Sequence, residues 1–237
     1  MLVISLNIIA TNKYLKFLPD VSESVEKFFF KNNRINIIVH TNGELPKMKF
    51  HSERIEVFKN EIDHEPWPFT TLKRFHYFTQ AEKIIRRSDF SFYIDVDSLF
   101  IDNIEFSNIE ASGIFATIHP GLNQGPGTPE RNPNSEAYIP IGSTNRYFCG
   151  GFFGGDTESF LEMSEAIKNA INRDLKKNVI AIWHDESHLN KFLMLNEPAK
   201  IFNYPFAVAE NLTPIFETSK ILFLDKNSKG GHEFFRS

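Results

Sequence analysis

Cysteine is nearly absent from this 237-residue chain, where Cys149 stands alone. A single thiol excludes an intrachain disulfide framework and a cysteine-built zinc finger, and nothing in it points to an oxidising compartment. Long apolar runs are also missing. The opening MLVISLNIIATNKY is apolar for only a few residues, is interrupted by Asn7, and has neither the basic leader nor the small-residue cleavage site of a signal peptide. No other stretch approaches the roughly 20 apolar residues of a membrane span. The expectation is a soluble, cytoplasmic chain without a membrane anchor. Basic charge is in no excess, with 26 Lys and Arg against 30 Asp and Glu for a formal net charge of −4. That balance argues against a nucleic-acid partner held by bulk charge, so a polyanionic ligand must be gripped locally. Tryptophan and tyrosine are scarce, 2 and 6, whereas phenylalanine numbers 25. Most of these Phe rings are expected to fill the core, with stacking platforms only beside polar loops.

The length suits one α/β domain with a substantial core, read as residues 1–237. Leu2 to Ile9 is β-branched and short, as a buried strand should be. Asp20 with Glu23 three residues on reads as an N-cap for a helix whose inner face is Val21, Val25, Phe28 and Phe29. RINIIVH, from Arg34 to His40, is a second strand closed by Asn42-Gly43, and Arg54 to Phe58 a candidate third. Leu72, Phe75, Phe78 and Ile85 recur on a helical period and predict one helix from about Thr71 to Ile85. DFSFYIDVD and GIFATIH follow as strands. Strands alternating with helices predict a doubly wound sheet with ligands at the carboxyl ends of its strands. Pro120 to Pro140 is dense in Gly, Pro and Asn and has no period, the pattern of a binding loop or lid or else of a disordered insert, and its buried-looking flanks ATIH and YFCGGFFGG favour the first. Asp156 is the expected cap of a helix running to about Leu175.

Three motifs could carry chemistry. IDVD ends an apolar strand with Asp95 and Asp97, which lean to the same side if the strand persists. Two like charges about 4 Å apart repel by roughly 4 kcal/mol at an effective dielectric of 20, a penalty that a bound Mn²⁺ or Mg²⁺ removes. The plainer alternative is a pair of turn aspartates. YFCGGFFGG surrounds two phenylalanines with glycine pairs, which permit either a close approach to a ligand or a bent strand. IWHDESHLN puts His184 and His188 at i, i+4, the spacing of a zinc hydrolase. That motif needs Glu directly after the first His, and moving the carboxylate to Glu186 turns it about 100° around the helix. The alternative makes Asp185 or Ser187 the cap of a helix whose inner face is Leu189, Phe192 and Leu193, which leaves Trp183, Glu186 and both histidines unexplained.

IDVD, ATIHPG, AYIP, GGFFGG and WHDESHLNKF, in this order and spacing, resemble glycosyltransferase family 6, the family of the histo-blood-group A and B transferases and the α-1,3-galactosyltransferase. The likeness runs from about Ile8 to Lys226. It implies a GT-A fold, a Rossmann-like nucleotide-sugar-binding domain with a mixed central sheet. It also implies transfer of N-acetylgalactosamine or galactose from a UDP-sugar to the 3-hydroxyl of a galactoside oligosaccharide acceptor, with retention and an α-1,3 linkage.

By the same likeness Asp95 and Asp97, with Val96 between them, hold Mn²⁺ and the diphosphate, and Glu186 is the catalytic carboxylate and part of the acceptor site. Asp185 and His184 belong to the donor pocket and Trp183 to the acceptor wall. Ile9, Ala10 and Tyr14 match the uridine-contacting segment, and Arg74 a donor-contacting arginine. His119 and Thr128 match acceptor contacts, with Glu210 as the acidic one after a shift of one residue. Gly121, Cys149, Gly150 and Gly151 match positions that select donor and acceptor, and Gly151 points to N-acetylgalactosamine. Lys226 matches a lysine that folds over the diphosphate, while the tail NSKGGHEFFRS departs from the family pattern and leaves Lys229 or Arg236 as the second clamp. The paired aspartates predict metal dependence, and the lack of an anchor and stem resembles microbial or viral members. A non-catalytic sugar-binding module and the zinc hydrolase are the alternatives carried forward.

Overall fold

The computed structural model describes residues 1–106, 112–212 and 214–236, with the side chain of Arg236, one of the two expected clamps, outside that description. Val3–Ile9 (β1) is buried on both faces, as an interior parallel strand must be. It pairs in parallel with Arg34–Thr41 (β2) on one side and with Phe90–Ile94 (β4) on the other. Ile55–Glu61 (β3) extends the sheet beyond β2. Beyond β4 come Phe148–Asp156 (β7), antiparallel to both its neighbours, then Ile114–Ile118 (β6) and Lys200–Phe202 (β8). The result is a seven-stranded mixed sheet in the order β3-β2-β1-β4-β7-β6-β8. The chain builds outward from β1 to β2 and β3 on one side and then crosses to β4 on the other, which makes the carboxyl ends of β1 and β4 a topological switch point, where such folds bind ligands. A smaller sheet joins Ser98–Phe100 (β5), Ile221–Phe223 (β10) and Ala207–Ala209 (β9).

Period-two alternation in GGFFGG divides the core. Phe152 points into a cluster with Phe29, Phe92, Phe100 and Phe115, and Phe153 into the opposite one with Phe75, Phe78 and Phe160. The expectation that phenylalanine fills the core holds for these rings, which stack or meet edge to face at 4.8 to 6.3 Å. Helix Thr157–Lys176 (α5) starts where expected, with Asp156 Oδ1 accepting from Ser159 N at 3.0 Å.

Other expectations need correction. The first helix, Leu18–Phe28 (α1), begins two residues before Asp20, with Pro19 in its first turn, so Asp20 is a first-turn acid and not the cap. The long helix expected over 71–85 is three short ones, Phe69–Leu72 (α2), Arg74–Gln80 (α3) and Glu82–Ile85 (α4). Lys73 and Ala81, with ψ near 14° and 7°, interrupt the ladder while leaving the apolar period intact. Within Pro120 to Pro140, the second half is pinned rather than hanging free. Glu130 Oε2 accepts from Ile182 N at 2.6 Å, and Asp174 on α5 accepts from Ser135 Oγ at 2.5 Å and Glu136 N at 2.7 Å. Ala137 and Ile139 are buried. Among the described residues no helix is long and apolar enough to cross a membrane.

Candidate functional site

β4 delivers Asp95 just past its last residue, and the turn into β5 carries Val96 and Asp97. Asp95 N donates to Gly151 O at 2.9 Å, which locks the acidic turn to the start of β7. The helix His184–Leu195 (α6) aims its first turn at the same place. Its start is not capped by Asp185: Ser187 Oγ accepts from Trp183 N at 3.0 Å, and Asp185 is buried against Arg74, whose Nε lies 3.0 Å from Asp185 Oδ2. Arg74 opens α3, which the break at Lys73 makes possible. Its Nη2 is 3.4 Å from Asp95 Oδ1, Nη1 donates to Gly150 O, and the guanidinium sits 4.2 Å from the Tyr93 ring centroid. Tyr93 Oη donates to Asp95 Oδ1 at 2.6 Å.

Glu186 Oε2 accepts from Gly150 N at 2.7 Å, and the Tyr147 ring flanks it. Lys226, from the C-terminal segment, donates to Asp97 Oδ2. Gly150 and Gly151 have no room for a side chain. A Cβ on Gly151 would lie 2.6 Å from Phe223 Cε1 and 3.1 Å from Asp95 Oδ2, and one on Gly150 3.2 Å from Arg74 Nη1. Gly154 likewise is glycine because a Cβ would strike Phe92. At both pairs a Cβ would press on the protein's own atoms.

Two cavities, of about 320 and about 410 Å³, flank this cluster. Asp95, Asp97, Gly151, Glu186, Lys226 and His232 line both and form their common wall. Ile9, Tyr14, Arg74, Val96, Gly150, His184 and Asp185 line the first only, and so does Trp183, placed by resemblance on the acceptor side. His119, Gly121 and Cys149 line the second.

Ala10, Thr128, Glu210 and Lys229 line neither. Ala10 is buried with its N–H on His40 O. Glu210 accepts from Asp225 N at 2.7 Å, so its carboxylate holds the C-terminal segment in place. Lys229 Nζ lies over the Phe17 ring at 5.6 Å. Sequence reasoning missed His232, Phe235 and Trp67, the first two because they sit in the tail that departs from the family pattern.

Four carboxylates, Asp95, Asp97, Asp185 and Glu186, face two cations, Arg74 and Lys226, leaving two formal negative charges uncompensated. Burial raises the Asp97, Asp185 and Glu186 carboxyls, Asp185 to about 7 although Arg74 opposes the shift. Burial alone would lower the Arg74 guanidinium, but Asp185, Tyr93, Asp95 and Glu186 hold it above its ordinary range. A carboxyl whose folded pKa exceeds its unfolded value of about 3.9 binds more protons folded, so its contribution to stability declines as pH rises through that window. Asp185→Asn is accordingly expected to gain stability relative to the parent as pH rises from about 4 to about 7, and to gain no more above. Urea titrations at several pH values check this; a difference independent of pH would show that Asp185 is not the titrating group.

The histidine pair supports no zinc hydrolase. His184 has a left-handed φ of 54° and meets Trp67 edge to face, whereas His188 lies 3.5 Å from Asp174 Oδ2 in the pinned loop cluster. Among the described residues no three His, Cys, Asp or Glu side chains converge on a metal position.

Comparison with known proteins gives the same segments a family. Glycosyltransferase family 6 matches residues 1–229. Histo-blood group ABO system transferase 1 of Rattus norvegicus is 30% identical over 207 residues, covering 84% of this chain and 59% of the relative. Globoside alpha-1,3-N-acetylgalactosaminyltransferase 1 of Homo sapiens is 27% identical over 85% of this chain and 60% of its own length. The chain thus spans about three fifths of these mammalian relatives. O-antigen biosynthesis glycosyltransferase WbnI of Escherichia coli is 28% identical over 231 residues, 95% of each chain. Because the matched segment contains every residue lining the two cavities except His232 and Phe235, the chain belongs to glycosyltransferase family 6.

Proposed function

We propose that this chain is a retaining glycosyltransferase that moves N-acetylgalactosamine, in preference to galactose, from a UDP-sugar to the 3-hydroxyl of a galactose-type acceptor, forming an α-1,3 linkage. The observation that carries the reading is the common wall: Glu186 faces both cavities beside Asp95, Asp97 and Lys226. The first cavity, at the switch point, takes the nucleotide sugar, and the second takes the acceptor. The names of the relatives, which include an alpha-1,3-N-acetylgalactosaminyltransferase and an O-antigen glycosyltransferase, support the reaction class.

Breaking the anomeric bond builds positive charge on the sugar and negative charge on the departing diphosphate. Glu186, held by the Gly150 N–H, stabilises the first. Lys226 exchanges Asp97 for phosphate oxygen and stabilises the second. Arg74 fixes the Asp185 carboxylate where it can accept from sugar hydroxyls. Retention is achieved either through a covalent bond to Glu186 or by front-face attack with Glu186 as electrostatic support. The preference for the N-acetylated donor rests on the family resemblance at Gly151, which lies in the wall both substrates share.

Mn²⁺ fits the residues present. Asp95 and Asp97 bring hard carboxylate oxygens to the wall of both cavities, within a cluster whose four carboxylates outnumber its two cations, and among the described residues no third His, Cys, Asp or Glu joins them, which leaves ligand positions for diphosphate oxygens. Bound there, the dication would supply charge neutralisation for the leaving group.

Release of UDP, measured with UDP-N-acetylgalactosamine and UDP-galactose against fucosylated and plain galactosides, tests the reading. Acceptor-dependent release in Mn²⁺ is expected, falling by roughly 100-fold or more in excess EDTA and returning with added Mn²⁺. No turnover with any pair would overturn the function, and undiminished turnover in EDTA would overturn the metal.

A further inference from the structure

Two separate links tie Glu186 to the start of β7. One is the Glu186 carboxylate itself, which accepts the Gly150 N–H. The other runs through Asn190, one turn further along α6 and only 4% exposed. Asn190 Oδ1 accepts from Phe148 N at 2.9 Å, and its Nδ2 donates to Phe148 O at 2.8 Å and to Glu186 O at 3.0 Å. Both amide hydrogens and a carbonyl lone pair are thereby committed, and of the neutral side chains this short only a primary amide can serve all three backbone groups.

Exchanging both backbone bonds with one residue is the pattern of an antiparallel strand pair. β4 pairs with Phe152 to Asp156 of β7, and on the other edge Ile118 of β6 aligns with Phe148. At Phe148, beyond the reach of β4, the Asn190 side chain stands where a strand partner would. The links close a ring: from the Glu186 carboxylate to Gly150 N, back along the strand to Phe148, across the amide to Asn190, and on to Glu186 O. A shift of α6 against β7 must break one of these bonds and leave a buried polar group unsatisfied.

Asn190 lines neither substrate cavity. It faces a separate one of about 210 Å³, together with Leu193 and Met194. Its influence on the reaction therefore runs through what it holds. A reacting group has to be kept within about 0.5 Å of its working position, and a 1 Å misplacement costs about 100-fold in rate. We infer that Asn190 is a positioning residue for the transfer reaction: its amide staples α6 to the start of β7 and so fixes the Glu186 carboxylate in the wall between the two cavities. The inference rests on the role of Glu186 proposed above and adds the group that aims it.

A double-mutant cycle tests it, with acceptor-dependent UDP release from UDP-N-acetylgalactosamine and a galactoside in Mn²⁺ as the assay. Asn190→Ala removes all three bonds. Asn190→Ser keeps a hydroxyl that reaches Glu186 O, four residues back on the helix, and loses both bonds to Phe148, so it isolates the link to the strand and carries the cycle if the alanine variant does not fold. Each is expected to lower kcat about 100-fold with the donor KM within about threefold. In a Glu186→Gln background the same substitution should cost less than about threefold, because the charge it would misplace is already gone. A residue that only supports the fold costs the same factor in both backgrounds, and that result overturns the inference, as does a kcat within about threefold of the parent in either single variant. Both of those outcomes leave the function standing. A Glu186→Gln kcat within about tenfold of the parent instead removes the role of Glu186 and this inference with it, and a parent chain that releases no UDP removes the function itself.

Discussion

Glu186→Gln is expected to lower kcat by roughly 10²- to 10⁴-fold while leaving the KM for the donor within about threefold. The substitution is chosen for what it keeps. Glu186 Oε2 accepts the Gly150 N–H at 2.7 Å, and the amide oxygen of glutamine can accept it equally, so the start of β7 stays in place. What disappears is the negative charge proposed to meet the emerging sugar cation, an interaction that would be realised mainly in the transition state and therefore expressed in kcat. Stability should move the other way or not at all, because burial already raises the Glu186 carboxyl and penalises its charged form in the fold. Steady-state kinetics with UDP-N-acetylgalactosamine, paired with urea unfolding, separates the two. A kcat within about tenfold of the parent would remove Glu186 from the chemistry.

The parts of this molecule that sequence makes legible are those whose physical cause is local. β1 and β2 announce themselves through short stretches rich in β-branched residues and β4 through the aromatic FSFYI, compositions that suit strands buried in a sheet. Asp156 is readable as a cap because a cap bonds a residue three positions away. The breaks at Lys73 and Ala81 are invisible to periodicity, since Leu72, Phe75, Phe78 and Ile85 keep their common face across both. The smaller sheet of β5, β10 and β9 is built of three-residue strands, too short to show alternation. In the site, the IDVD and WHDE blocks were recognisable, but the partnership of Asp185 with Arg74 and of Glu186 with Gly150 exists only after folding. Glu210, which only the family resemblance with a shift of one residue nominated for the acceptor, has a partner that no sequence pattern announces, the Asp225 N–H.

Arg74 carries the largest structural consequence. Its guanidinium, with 8% of its side chain exposed, is the cation nearest Asp185, which keeps only 2%. It also reaches Asp95, Gly150 O and the face of Tyr93. Arg74→Met retains much of the volume and removes the charge, so at pH 8 the buried Asp185 must either stay ionised without its counter-ion or take up a proton, and either costs stability. Breaking a buried pair from one side typically costs about 3–5 kcal/mol, and that is the loss expected in urea unfolding. The sign of the pH effect follows from Asp185, whose carboxyl already titrates near 7 with Arg74 present and must rise further without it. Protonation then relieves the stranded charge, so the penalty should shrink markedly at pH 5. Combining Arg74→Met with Asp185→Asn removes both charges and should recover most of the loss at pH 8, while activity stays low because the carboxylate that orients the sugar is gone. A single-variant penalty below about 1 kcal/mol at pH 8, or a double variant no more stable than Arg74→Met, would mean that the pair does not hold the site together.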